Sequence, residues 1–115
     1  MADGKNLNLS LKEIWFKQID KGVKTIEYRA MDNDYWMKKL VVLDHPKYAK
    51  YCGDVNNIRE ALINGEVDLY PTDYKTATFW CNGKNMKFKI RSIKIFKNHS
   101  TFAIFLGDRL DKPQK

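Results

Sequence analysis

Four side chains able to do chemistry fall within six residues of one another: Lys24, Thr25, Glu27 and Arg29, in the run Gly22-Val-Lys-Thr-Ile-Glu-Tyr-Arg29. On an extended backbone Thr25, Glu27 and Arg29 share one side, while Ile26 and Tyr28 share the other. With Ile26 turned to the core, a hydroxyl, a carboxylate and a guanidinium would be displayed outward in a row. Arg29 could grip a phosphate or a base edge with two parallel hydrogen bonds. Glu27 could accept from an exocyclic amine or act as a general base. The plainer alternative is a solvated strand face carrying a Glu–Arg ion pair.

Two further groups could serve the same chemistry. Tyr35 and Trp36 could stack on a base, or else pack in the core as aromatics at helical spacing commonly do. They are followed by the basic pair Lys38-Lys39. The run from Lys84 to Lys97 holds Lys84, Lys87, Lys89, Arg91, Lys94 and Lys97 with no acidic residue among them. On an alternating strand, Lys87, Lys89 and Arg91 would form a basic face that tracks a phosphate backbone, or one that discourages edge-to-edge aggregation. Protecting an edge takes only about one or two lysines, which favours phosphate tracking.

Composition agrees with a polyanionic partner. The 115 residues carry 21 Lys+Arg against 14 Asp+Glu, a net charge of +7, and such a surplus attracts nucleic acid or simply keeps a small protein soluble. The hydrophobic fraction of 43% is too high for a disordered chain. No apolar run approaches the ~20 residues of a membrane span. The N-terminus has no signal-peptide core, so a cytoplasmic protein is expected. Cys52 and Cys81 form no CxxC pair and are expected as buried free thiols. A site made of Cys52, Cys81, His45 and His99 matches no zinc-ligand spacing, so neither metal nor cofactor is expected. The chain contains no P-loop, GxSxG elbow, HExxH helix or dinucleotide fingerprint.

Several elements must position these residues. Leu7-Asn-Leu9 reads as a short first strand, and residues 1–8 are expected to be flexible around it. Ser10-Leu-Lys-Glu13 forms a capping box, with Leu9 and Ile14 as a hydrophobic staple. It opens a helix whose apolar stripe is Leu11, Ile14, Trp15 and Ile19, and Trp15 is assigned to the core. Gly22 occupies the C-terminal position where left-handed backbone is needed. Thr25 to Arg29 is a strand. Asp32-Asn-Asp34 caps a short helix from Tyr35 to Leu40. His45-Pro46 stops any preceding helix, and Asn57-Ile-Arg-Glu60 opens another that ends at Asn64-Gly65. Residues 41–75 read as an insertion on a single domain spanning 1–115, too short to bury a core of their own.

The last third is rich in strands. Thr76 to Cys81 leads through Asn82-Gly83, a strong hairpin signal that Lys84-Asn85 could lengthen, into a strand with Met86, Phe88 and Ile90 on one face. The apolar parity flips at Ser92 to Ile93 and Ile95, which suggests a bulge or corner. Thr101 to Leu106 is the last strand, and 111–115 form a flexible tail. The pattern is α+β, and a small, partly closed barrel would remove exposed edges.

Three segments resemble the ASCH domain family of the PUA-like superfamily: Leu9-Ser-Leu-Lys-Glu-Ile-Trp-Phe, Gly22-Val-Lys-Thr-Ile-Glu-Tyr-Arg29 and Tyr35-Trp-Met-Lys-Lys-Leu40. The family hallmark is a helix ending in Gly-x-Lys-Thr followed by a strand ending in Arg. The Tyr-Trp-x-x-x-Leu element is similar to that of short, stand-alone bacterial and phage members. The resemblance is close over 9–40, weaker over 76–106 and absent over 41–75. It implies a small PUA-like β-barrel with flanking helices, and RNA or nucleotide recognition in a cleft lined by Lys24, Glu27 and Arg29, with Thr25 near its mouth. The implied ligand-binding set is Lys24, Thr25, Glu27, Arg29, Tyr35, Trp36 and Lys39, with Lys87, Lys89 and Arg91 on a nucleic-acid backbone.

Some members of that family are hydrolases that deacylate a modified cytidine with a Lys and a Thr nucleophile three residues later. Here Glu27 stands at the nucleophile's position, and a carboxylate does not replace a hydroxyl there. Thr25 is ~6–7 Å away along a strand. Other members cut RNA, which Lys24 and Glu27 as a catalytic acid–base pair could assist. Binding, hydrolysis and a protein-interaction role through residues 41–75 are therefore the three readings the sequence supports.

Overall fold

The computed structural model describes residues 5–112 and is α+β. The elements, in chain order, are β1 (Lys5–Ser10), α1 (Glu13–Asp20), β2 (Ile26–Ala30), α2 (Asp34–Leu40), a 3-10 turn at Pro46–Tyr51, α3 (Val55–Ile63), β3 (Tyr74–Cys81), β4 (Lys84–Phe96), a short 3-10 turn at Lys97–His99 and β5 (Thr101–Arg109). The strands form one sheet in the order β1-β3-β4-β5-β2. Two compact units divide the chain. The first combines the residues through Glu27 with Asp73–Ser92 and the chain from Ile104 onward; the second combines Tyr28–Thr72 with Ile93–Ala103.

In the first unit, Leu7 and Leu9 of β1 point to one side and are 0% and 1% exposed. β1 runs parallel to β3, and β3 antiparallel to β4, which aligns two buried rows: Leu7–Ala77–Phe88 and Leu9–Phe79–Met86. Each large side chain in these rows contributes about 1.5–3 kcal/mol by leaving water. Ile19, Ile104 and Leu106 complete the buried hydrophobic set of this unit among the described residues. The expectation of flexibility over 1–8 does not hold for Lys5–Asn8, which are strand residues; residues 1–4 lie outside the described chain. Asn82 and Gly83 both have positive φ, 51° and 80°, and Cys81 pairs with Lys84. This is a two-residue hairpin turn whose handedness matches the strand twist, and Lys84-Asn85 do not lengthen it.

The start of α1 differs from the expected capping box. Ser10 is the last residue of β1 and pairs with Trp80, and the Leu11 N–H donates to the Trp80 carbonyl at 2.9 Å. Strand pairing thus claims the backbone that the box would have used. Lys12 becomes the N-cap, without a side-chain cap bond. Of the expected stripe only Ile19 is fully buried, while Ile14 and Trp15 are exposed. The other end follows expectation. Gly22 has φ +76°, and a Cβ there would meet nothing within 4 Å, so backbone conformation alone requires glycine.

In the second unit the Asn33 side chain caps α2 by accepting from the Tyr35 N–H at 2.8 Å. Asp54, not Asn57, caps α3, accepting from the Asn57 N–H at 2.9 Å; the helix starts two residues before the expected one. Met31, Met37, Leu40, Val41, Tyr48, Ile58, Ala61 and Leu62 are buried here. The stretch 41–75 is organised by Tyr48, 1% exposed, whose hydroxyl donates to the Asp68 carbonyl and accepts from the Tyr70 N–H, both at 2.8 Å. Burial pushes the Tyr48 hydroxyl pKa up. His45 stacks on Tyr70 with ring centroids 3.8 Å apart. Cys52 is exposed and Cys81 half-buried, contrary to the expected buried thiols. Cys52 closes the 3-10 turn at its surface end with left-handed backbone, φ 53°.

The carboxyl end of the first unit is ordered by charge. Arg109 donates to Asp20 Oδ1 at 2.6 Å and to Asp111 Oδ1 at 2.8 Å, and Asp111 also accepts from the Lys87 N–H at 3.0 Å. Asp111 therefore belongs to the fold and not to a flexible tail, and residues 113–115 lie outside the described chain. Hydrogen bonds from Arg109 hold both carboxyl pKa values below the ordinary 3.8. A carboxyl whose folded pKa is depressed gives stability that is present above its unfolded pKa and lost as pH falls through the folded one. Arg109→Gln is expected to flatten the fall in melting temperature as pH drops below about 4, read by thermal unfolding at stepped pH. An unchanged acid slope would remove these contacts from the account.

Candidate functional site

β2 sets the orientation of the residues singled out by the sequence. Its burial runs opposite to the expected parity. Glu27 is 3% exposed, whereas Tyr28 is 41% exposed. The row with Glu27 therefore faces inward, and the row with Tyr28 faces out. The burial has a physical basis, a cation beside the carboxylate. Lys24 Nζ lies 2.8 Å from Glu27 Oε1, and the two side chains are only 18% and 4% exposed. Such a partner offsets much of the cost of placing a carboxylate so deeply.

Lys24 also lies against an aromatic ring. Its Nζ is 4.8 Å from the centroid of Trp15. Trp15 is 41% exposed on α1, so it is a wall of this cluster and not the core residue the helical stripe suggested. Helical periodicity alone could not place it, because only one side chain of the expected stripe is fully buried. Thr25 is exposed just before β2, and its carbonyl accepts from the Leu106 N–H at 3.0 Å. The first unit thus brings together Lys24, Glu27 and Trp15, with Thr25 held nearby in the chain by a backbone bond.

The remaining expected ligand residues gather in the second unit. The Arg29 guanidinium lies 5.1 Å from the Trp36 ring and donates to the Tyr28 carbonyl at 2.8 Å. Trp36 meets Tyr35 edge-on, centroids 4.8 Å apart, and Lys39 Nζ lies 5.9 Å from the Tyr35 ring. Tyr35 is 58% exposed. This is a layered arrangement of cation, indole, phenol and cation, each contact attractive through the ring quadrupole. Arg59 secures the start of α2: it donates to the Met31 carbonyl at 2.6 Å and pairs with Asp34. On the outward side of β2, Tyr28 meets Phe96 with centroids 5.8 Å apart, beside a cavity of ≈ 390 Å³ lined by these two rings, His99 and Thr101.

Lys87, Lys89 and Arg91 are all exposed on β4, as the alternation predicts, and Met86 and Phe88 are buried behind them. The parity change after Arg91 is real: Ile93 is the next buried residue. β4 nevertheless continues unbroken to Phe96. Sequence reasoning passed over Trp80. It is 42% exposed, and the alternation Thr76, Thr78, Trp80 against Ala77 and Phe79 on β3 carried the signal.

Comparison of the chain with protein-family models, curated proteins and solved structures finds no match. No helix among the described residues is long and apolar enough to cross a membrane.

The coupling of Lys24 to Glu27 predicts a specific stability pattern. Lys24→Met strands a buried carboxylate and is expected to cost about 3 kcal/mol. Lys24→Met combined with Glu27→Leu removes both charges and should recover most of that loss. Urea denaturation of the two single variants and the double variant measures the difference; additive losses would show that the pair does not act as a unit.

Proposed function

We propose that this chain is a small ASCH-type, PUA-like domain that binds RNA or a nucleotide-like ligand. The observation that carries the reading is the buried Lys24–Glu27 pair against Trp15. Carboxylate and ammonium at 2.8 Å offer an acceptor and a donor at one place, which suits the edge of a nucleobase. Trp15 adds an exposed aromatic surface beside them. Taking both charges out of water costs stability that a pair of apolar side chains would not, so retention of the pair points to use. In the second unit, Arg29 over Trp36, with Tyr35 and Lys39 alongside, is the kind of cation–aromatic surface that nucleic acids favour. The net charge of +7 supplies long-range attraction to the polyanion.

Hydrolysis of RNA or of a modified nucleoside is the second reading, because an acid–base pair at hydrogen-bond distance is also the minimum for proton transfer. One experiment separates the two. Fluorescence anisotropy with labelled single-stranded RNA should show binding that weakens with salt and weakens about tenfold or more in Lys24→Gln. Unchanged affinity in that variant would contradict the proposed site. Cleavage of the RNA, or deacylation of an acylated cytidine, that disappears in Glu27→Ala would establish the enzyme reading instead.

A further inference from the structure

The outward side of β1, β3 and β4 is built in three aligned rows, Asn6–Thr76–Lys89, Asn8–Thr78–Lys87 and Ser10–Trp80–Asn85, in which Thr78 is covered by its neighbours and is only 8% exposed. Its chemistry is unusual for a surface in that it contains amides, hydroxyls, two lysines and an indole, and no carboxylate. The amides and hydroxyls are cross-braced. Asn6 Oδ1 accepts from Thr76 Oγ1 at 2.8 Å and from Thr78 Oγ1 at 3.2 Å, and Asn6 Nδ2 donates to Asn8 Oδ1 at 3.2 Å. Asn8 Oδ1 also accepts from Trp80 Nε1 at 3.2 Å. That bond satisfies the polar end of the indole and fixes its orientation, yet Trp80 stays 42% exposed. A rigid, outward aromatic loses little conformational entropy when a flat ligand stacks on it.

The lysines are not explained by edge protection. β4 lies between β3 and β5 in the sheet, and β3 lies between β1 and β4, so Lys87 and Lys89 stand on an interior strand. Asp111 accepts from the Lys87 backbone N–H and is itself paired with Arg109. Lys87 and Lys89 are two residues apart, ~6.7 Å along the strand, a spacing comparable to that of successive phosphates in an extended chain. Lys87 is the diagonal cross-strand neighbour of Trp80, ~7–8 Å away, within reach of a phosphate whose base lies on the indole.

We propose that this sheet face is a platform for single-stranded nucleic acid, with a base stacked on Trp80 and the flanking phosphates on Lys87 and Lys89. The braced amide of Asn8 and the amide of Asn85, the register partner of Trp80, border the stacked base and offer hydrogen bonds to its edge. A duplex hides its base faces and cannot use the indole, so the platform selects unpaired strands. The inference deepens the proposed RNA or nucleotide reading and rests on it only for the class of ligand, since it involves none of the residues of the Lys24 cluster.

The test uses the full chain, with 12-nucleotide single strands of RNA and of DNA, the same sequence as a duplex, and an abasic strand of equal charge. The wild type is expected to bind single strands more tightly than duplex or abasic strands. Trp80→Ala should lower single-strand affinity about tenfold, leave abasic affinity unchanged, and be largely rescued by Trp80→Phe, with melting temperatures confirming the fold. Lys87→Gln combined with Lys89→Gln should reduce the slope of log K against log salt by about 1.4. Wild-type affinity in Trp80→Ala and in the lysine variant, alongside loss in Lys24→Gln, would overturn the platform and leave the Lys24 site standing. Equal binding of duplex, or of an acidic polypeptide, would overturn selection of single strands. Absence of binding to every strand at low salt would overturn both. RNA and DNA strands bound alike, or unequally, both support the platform and tell which sugar it prefers.

Discussion

An ionised carboxylate leaves water cheaply only when a cation or hydrogen-bond donors go with it, and much of the local order around β2 follows from that constraint. Glu27 is 3% exposed. Lys24 lies beside it at 2.8 Å, an arrangement that has the chain reverse tightly between α1 and β2. The reversal is made by Gly22, at φ +76°, with the Val23 and Lys24 N–H groups both donating to the Gln18 carbonyl. The helix so placed carries Trp15 to within 4.8 Å of the Lys24 ammonium. Backbone geometry, ion pairing and aromatic contact are thus one connected arrangement.

Charge plays a different part at the surface. Lys87, Lys89 and Arg91 are held outward by a strand whose alternate residues, Met86 and Phe88, are buried. Their positions are fixed by core packing, and their head groups stay in water, where a long side chain costs little to extend. The same logic gives Trp80 its exposure: Ala77 and Phe79 are fully buried, and strand parity leaves the indole no place in the core. A fold of this kind displays functional groups as a by-product of where its apolar rows must lie.

Much of the fold was legible in the sequence because its signals are local. Leu7-Asn-Leu9, Gly22, Asn33 and Asn82-Gly83 each act through their own backbone or nearest neighbours, and each has the structural role its type suggests. Errors arose where a distant partner outbid a local preference. Ser10 is a good N-cap in isolation, but pairing with Trp80, seventy positions away, keeps it in β1. At α3 the competitor was local instead, since Asp54, three residues before Asn57, takes the cap. The orientation of β2 was the most consequential case. Hydropathy favours turning Ile26 inward, but the Lys24 ammonium makes burial of Glu27 tolerable, and periodicity carries no information about ion pairing. The exposure of Trp15 was hidden in a similar way, since it depends on what packs around α1, whereas that of Trp80 follows from the parity of β3.

All three tryptophans report on the proposed surfaces, one on each: Trp15 beside Lys24 and Glu27, Trp36 beneath Arg29, and Trp80 on the sheet face. Their indole N–H signals in a proton–nitrogen correlation spectrum, followed during titration with a short single-stranded RNA, test the central claim most directly. The account predicts saturable shifts of the Trp15 signal that are lost in Lys24→Gln. A Trp15 signal unmoved while RNA binds would contradict the assignment of the Lys24–Glu27 pair to the ligand site.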